Sequence, residues 1–312
     1  MSKLSQQKLR WIATTIVIAM LLYISIILYA LNKEDIGDTL SQIPIQLYIS
    51  LLFLSLLSYF LRLGRWYFFL KPLESSIGFM KHLLIYFSGF AMTTTPGKAG
   101  ETIRSLFLSP IGIKYHQSLA AFFSERLLDV VAVVTLSLLL FASSFPEYQL
   151  WIILSALFAL SITLFLRSEL ITLLIKRFLK HKSKVLLIAF QQQVSNFLSN
   201  QSLLVALPLS LAAWTAQGYG LYLIVDALGF ESDPLLIIGI YNISILAGAM
   251  SFIPGGIGAT EAAITLLLVH LGMDTSLALI ASMICRGMTL WVAIGIGVFS
   301  MGVLSRGKNI QS

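Results

Sequence analysis

Six stretches of this chain, near residues 11 to 31, 46 to 70, 117 to 143, 149 to 166, 203 to 228 and 276 to 304, are apolar for long enough to cross a hydrocarbon core, which takes about 20 helical residues. Backbone inside lipid must satisfy its own hydrogen bonds, so such runs have to be helical. The expected fold class is therefore an all-α integral membrane protein. With 57% apolar and 11% charged residues and a mean hydropathy of +0.88, an ordinary water-soluble globule is excluded. The first run is longer than a signal-peptide core and has no clear small-residue cleavage site, so it reads as a retained span.

Two further apolar regions, 79 to 109 and 235 to 271, are cut near the middle by Pro-Gly. The pieces left are short, which suggests half-helices that enter the membrane and return. The count is then about six full spans plus two Pro-Gly-broken re-entrant hairpins, in a single transmembrane domain over 1–312. Basic residues support this threading through the positive-inside rule. Lys3, Lys8 and Arg10 put the N-terminus in the cytoplasm, Arg62, Arg65, Lys71 and Lys81 mark the same side again, and Arg306 and Lys308 bring the C-terminus back to it. Counting each hairpin as two full spans would leave every loop on the same side, so length rather than charge favours the hairpins. The segment 167–184 holds six Lys/Arg against one Glu, with apolar residues at 170, 174 and 178. It reads either as an amphipathic helix on anionic headgroups or as a solvated basic loop.

The two breaks share one phrase. AMTTTPGKAG (Ala91 to Gly100) returns as AMSFIPGGIG (Ala249 to Gly258). Three spans separate the two, and an odd number inverts the second half. The chain thus divides into inverted repeats, 1–148 and 149–312, a plan common among secondary transporters. The duplication extends to charge, because 25 residues separate Glu101 from Arg126 and Glu261 from Arg286 alike. One irregularity stands: Glu101 follows Gly100 directly, whereas Glu261 comes three residues after Gly258.

Proline removes a donor and glycine relaxes steric limits. The structural breaks are therefore Pro96, Gly97 and Gly100 in the first hairpin and Pro254, Gly255, Gly256 and Gly258 in the second. A half-helix starting after the break presents free N–H groups and a positive dipole end, where an anion is the natural occupant. Lys98, Glu101, Arg104, Arg126, Glu261 and Arg286 form the candidate substrate-binding and translocation set, since charges within a membrane are expensive enough to be functional by default. The same two Glu/Arg pairs also read as structural ion pairs. Asp129 lies one turn from Arg126 and either neutralises it or carries protons. Arg62, Arg65 and Trp66 read first as interface anchors at a span end and second as headgroup contacts; Glu125 joins Arg62, Arg65 and Asp129 as possible support. Thr93, Thr94 and Thr95 read first as caps for freed backbone groups and second as the lining of a polar path.

Cys285 is the only cysteine, and the four histidines form no HExxH. No phosphate loop, GxGxxG or GxSxG motif is present. No cofactor, metal, nucleic-acid partner or catalytic residue is expected.

PGKAGE with Arg104, the ERLLD run (Glu125 to Asp129), PGGIGATE and the CRGMTLW run (Cys285 to Trp291) resemble, in that order, the flippase-like family named after the transmembrane region of lysylphosphatidylglycerol synthase. The resemblance runs over roughly 10 to 305. It implies a bacterial or archaeal cytoplasmic membrane and movement between leaflets of a polar-headed lipid, a phospholipid or a polyprenyl-phosphate-linked one. It also implies a possible partnership with a lipid-modifying synthase or glycosyltransferase. Only SRGKNIQS follows Leu304, so no attached synthase or glycosyltransferase domain is expected, and cargo and lysyl transfer are not inherited from the resemblance. A membrane-embedded lipid-modifying enzyme, a non-transporting partner of a synthase and a small-solute carrier remain open at this point.

Overall fold

The computed structural model describes Ser25 and residues 43–73, 78–141, 147, 149–178 and 181–308. The expected first span, 11 to 31, lies outside the described residues apart from Ser25. All regular elements among the described residues are helical: α1 (Ile45–Leu70), α2 (Phe79–Ser88), α3 (Arg104–Leu108), α4 (Tyr115–Phe141), α5 (Gln149–Arg167), α6 (Glu169–Phe178), α7 (His181–Phe197), α8 (Asn200–Ala227), α9 (Pro234–Met250), α10 (Ala259–His270), α11 (Thr275–Arg286) and α12 (Val292–Lys308).

By length and composition α1 and the continuous rod Thr275–Arg306 can cross a membrane, and α7 with α8, bent by 70° at their junction, makes a third if counted as one span. Helix α4 is 27 residues long but carries Glu125, Arg126 and Asp129 at its middle, so it crosses any apolar layer only by turning those charges inward. Starts and stops follow local chemistry. Pro44 precedes α1 in an extended conformation, Ser199 caps α8, and the Asp233 and Asp274 carboxylates accept from the first amides of α9 and α11, as N-caps do. The rod Thr275–Arg306 is interrupted by a π turn at Gly287–Trp291.

Two apolar clusters divide the interior. One joins α1, α4 and α8 to α9, α10 and α11 around Leu51, Leu221, Ile240 and Leu268. The other joins α1 to α2, α4, α7 and α12 around Trp66, Ile85, Leu128 and Phe197. Large apolar side chains such as Phe53, Trp151, Phe158 and Phe299 are exposed, as lipid-facing surfaces require.

The two Pro-Gly regions differ in regularity. In the second, α9 and α10 are well-formed helices on either side of a break in which Phe252, Gly255, Gly256 and Gly258 all have positive φ, at 55°, 67°, 64° and 86°. In the first, α2 tightens into a 3₁₀ turn at Gly89–Met92, and the return limb Pro96–Ile103 is again 3₁₀ before the short α3. The expectation of an α-helical return limb is corrected here. PGKAGE combines Pro, two Gly and a left-handed Lys98 (φ 56°), which is poor helix-forming material. The limb also lies close to its own turn, since a Cβ on Gly100 would sit 2.7 Å from Met92 Cβ. The tips of the two regions touch, with Gly255 so near Thr94 that an added Cβ would lie 3.4 Å from its Cα.

Within the basic segment 167–184 the described helical residues are the last residue of α5, helix α6 and the start of α7. Leu170, Leu173 and Leu174 are exposed on α6, whose last turn holds Lys176 and Arg177.

Candidate functional site

Arg65 of α1, Glu101 of the first return limb, Arg104 of α3 and Glu125, Arg126 and Asp129 of α4 form one connected set. Arg65 donates to Asp129 (2.8 Å) and to Ser210, and lies 3.6 Å from Glu125. Arg104 pairs with Glu101 and with Glu125 (3.0 Å), and its guanidinium packs on Trp66 and Tyr86, 4.9 and 4.4 Å from the ring centroids. Arg126 pairs with Asp129 at 3.0 Å and approaches Glu101 at 3.9 Å. Thr93 donates to the remaining Glu101 oxygen at 2.8 Å. Three guanidinium groups thus face three carboxylates, all but Arg126 almost completely buried. An ion cluster this deep persists only when each charge is matched.

The second motif builds a smaller version. Arg286 donates through Nε to Glu261 (3.2 Å) and through Nη2 to the Gly255 carbonyl (2.7 Å). The other Glu261 oxygen accepts from the Gly258 amide at 2.8 Å. The N-terminus of α10, expected to await an anionic ligand, is therefore filled from within by the helix's own third residue, a capping arrangement. The two pairs spaced by 25 residues are both present but unequal: Glu261–Arg286 is tight, whereas Glu101 prefers Arg104 and Arg126 prefers Asp129. The two-residue offset in sequence has a structural counterpart, since Glu261 sits in the first turn of an α-helix and Glu101 in a 3₁₀ run.

Arg62 and Arg65 are corrected from interface anchors to interior residues, 5% and 0% exposed. Arg62 donates to Gln217 Oε1 (3.2 Å), which also accepts from the Tyr241 hydroxyl (2.8 Å). Its guanidinium lies 4.2 Å from the Trp214 ring centroid, within cation–π range. Trp214 in turn donates to Asp129 at 3.2 Å. Trp66 is buried, not interfacial. Thr95 acts as the expected cap, accepting from the Gly100 amide at 2.7 Å and donating to the Met92 carbonyl at 2.8 Å; Thr93 instead holds Glu101.

These groups surround a cavity of about 300 Å³ between the tips of the two broken regions. Of the predicted set, Lys98, Glu101, Arg126 and Arg286 line it, together with Arg62 and Asp129. Arg104, Glu125 and Arg65 stand behind them, and Glu261 supports Arg286. The opposite part of the wall is apolar and includes Val130, Ile245, Leu246, Phe252 and Ile253, of which Val130, Phe252 and Ile253 are exposed at 44%, 80% and 45%. A space with a charged floor and an apolar, open rim can hold a polar group while leaving an attached chain outside. Tyr59, Trp214, Gln217, Tyr241, Thr260 and Thr289 also line the cavity and were not among the sequence candidates. Their signal is a polar stripe on otherwise apolar helices: Ser210, Trp214 and Gln217 recur at helical spacing on α8, as do Ser55, Tyr59 and Arg62 on α1. No group of three or more potential metal ligands occurs among the described residues.

A helical membrane protein with a buried, arginine-rich cleft between two broken helix pairs is the class defined by fold and site. The sequence model for the lysylphosphatidylglycerol synthase TM region matches residues 11–297, and the chain belongs to that family. It is similar to the UPF0104 membrane protein PH1989 of Pyrococcus horikoshii, with 27% identity over 75% of this chain and 79% of the relative. Two UPF0104 membrane proteins of Methanothermobacter thermautotrophicus are 26% and 32% identical over 35% and 36% of this chain, spanning 32% and 34% of their own lengths.

Proposed function

We propose that this protein moves a polar-headed, anionic lipid between the leaflets of the cytoplasmic membrane, the head passing through the cleft while the acyl chains stay in the bilayer. The observation that carries this reading is the cleft's division into a cationic floor, with Arg62, Lys98, Arg126 and Arg286, and an exposed apolar rim at Val130, Phe252 and Ile253. A small-solute site has no use for an apolar exit, and ligand pockets reflect what they bind. The proposal includes six spans with both termini in the cytoplasm, re-entrant geometry for the two broken regions, and an inverted relation between 1–148 and 149–312. Membrane lipids are the partners; a lipid-modifying synthase or glycosyltransferase is the class of enzyme that would supply or consume the cargo. The buried salt-bridge sets hold the tips in register so that the cleft keeps its shape between cargo molecules.

The test is leaflet exchange in proteoliposomes with a fluorescent phospholipid and a membrane-impermeant quencher. Wild type accelerates exchange of an anionic lipid, and Arg126→Gln and Arg286→Met, verified as folded by size exclusion, reduce it by about tenfold or more, as expected when a charge-assisted contact to the moving group is lost. Exchange at the protein-free rate by wild type, or unchanged exchange by both folded variants, overturns the proposal.

A further inference from the structure

The charges around the cleft do not cancel. Arg65, Arg104 and Arg126 are matched by Glu101, Glu125 and Asp129, and Arg286 by Glu261. Arg62 and Lys98 remain. Among the described residues neither has an ion-pair partner, and both line the cavity. They converge on one side chain: Arg62 Cζ lies 4.2 Å and Lys98 Nζ 6.0 Å from the Trp214 ring centroid. Among the described residues Arg62 donates to the neutral Gln217 amide alone, and its buried Nε has no hydrogen-bond partner there. Lys98 sits at φ 56°, a conformation that residues with a Cβ rarely adopt. Backbone outliers of this kind concentrate where a side chain must be aimed.

Two uncompensated cations in a cleft of low dielectric are unfavourable until an anion arrives, and an anion of one charge still leaves one of them unmatched. We infer that the cleft is built for a phosphate bearing two negative charges, a phosphate monoester or a diphosphate, and selects it over a monoanionic phosphodiester or a zwitterion. Arg62 and Lys98 are the specificity-determining residues, and Trp214 lies beside both. The tail of such a ligand rests on the lipid reading above, whereas its charge does not.

The experiment is equilibrium binding to the purified protein in detergent at pH 8, where a monoester with a second pKa near 6 is mostly dianionic. The probes are dioleoyl phosphatidate, the matching phosphatidylglycerol and phosphatidylcholine, and tail-free glycerol 3-phosphate. Wild type is expected to bind phosphatidate about tenfold more tightly than phosphatidylglycerol, with phosphatidylcholine weakest. Lys98→Gln and Arg62→Gln each weaken phosphatidate binding more than they weaken phosphatidylglycerol binding, so the ratio of the two affinities falls toward one. Equal wild-type affinity for the two anionic lipids overturns this inference and leaves the lipid reading standing. Glycerol 3-phosphate binding as tightly as phosphatidate supports the charge selection, identifies a free phosphate monoester as the source, and counts against the lipid reading. Binding of none of the four probes overturns both. Should either variant fail to fold, the wild-type comparison decides alone.

Discussion

Replacing Arg286 with Met is the most informative single change to the fold. The Glu261 carboxylate, 7% exposed, would keep the Gly258 amide but lose the one cation paired with it among the described residues, and the Gly255 carbonyl would lose its donor. Removing one partner of a buried pair costs about 3 to 5 kcal/mol; because one donor to Glu261 survives, the low end is expected. For a chain of this size that lowers the melting temperature by roughly 5 °C. Glu261→Gln should cost less, about 2 kcal/mol, because the amide still accepts from Gly258 and Arg286 retains the Gly255 carbonyl. The double variant leaves no stranded charge, so its loss should fall short of the sum of the singles by about 2 kcal/mol. Thermal unfolding of the detergent-purified variants, read by tryptophan fluorescence and by size exclusion after heating, gives all three shifts. A double variant whose shift equals the sum of the singles would mean that the pair is not coupled, and the account of the second break would fail.

A Cβ on Gly297 would lie 2.6 Å from the Phe90 carbonyl carbon and 2.9 Å from Ala91 Cα, so Gly297→Ala should destabilise by about 1 to 3 kcal/mol by forcing α12 off the first turn, measured as a lowered melting temperature. Thr93→Val removes the donor to Glu101; a bond to a charged group is worth about 1.5 to 3 kcal/mol, and leaflet exchange should fall with stability. Tyr59→Phe removes the bond from its hydroxyl to the Thr289 carbonyl (2.6 Å) at the π turn, with an expected loss of about 1 kcal/mol in the same unfolding assay.

Much of this molecule was legible in its residues. The repeated Ala-Met-x-x-x-Pro-Gly phrase located both breaks, and the duplicated spacing found the pairs Glu101–Arg126 and Glu261–Arg286, because an acid and a base held apart by a fixed length of helix meet only if that helix packs back. What the charge pattern misread was Arg62 and Arg65. Counted as basic residues near a span end they look like topology markers, but on α1 they share the interior with Ser55, Ser58 and Tyr59. Helical periodicity, not charge count, carries that information. Lys71 and Lys81, by contrast, are both exposed. The 3₁₀ return limb was legible only in part, since PGKAGE is poor helix-forming material but the crowding near the first turn is tertiary. The inward side of Trp214, Gln217 and Tyr241 needed the partner Arg62 to become meaningful.

The most direct test of the central claim is photocrosslinking with two phosphatidate probes, one bearing a diazirine at the headgroup and one near the end of an acyl chain, followed by peptide mapping of the labelled protein. The account predicts headgroup label within Thr93–Glu101 and Trp214–Gln217, with acyl label on Met250–Ile253 and around Val130. Label from both probes confined to outward-facing positions such as Trp151 and Phe158 would contradict it, because the head would then never enter the cleft.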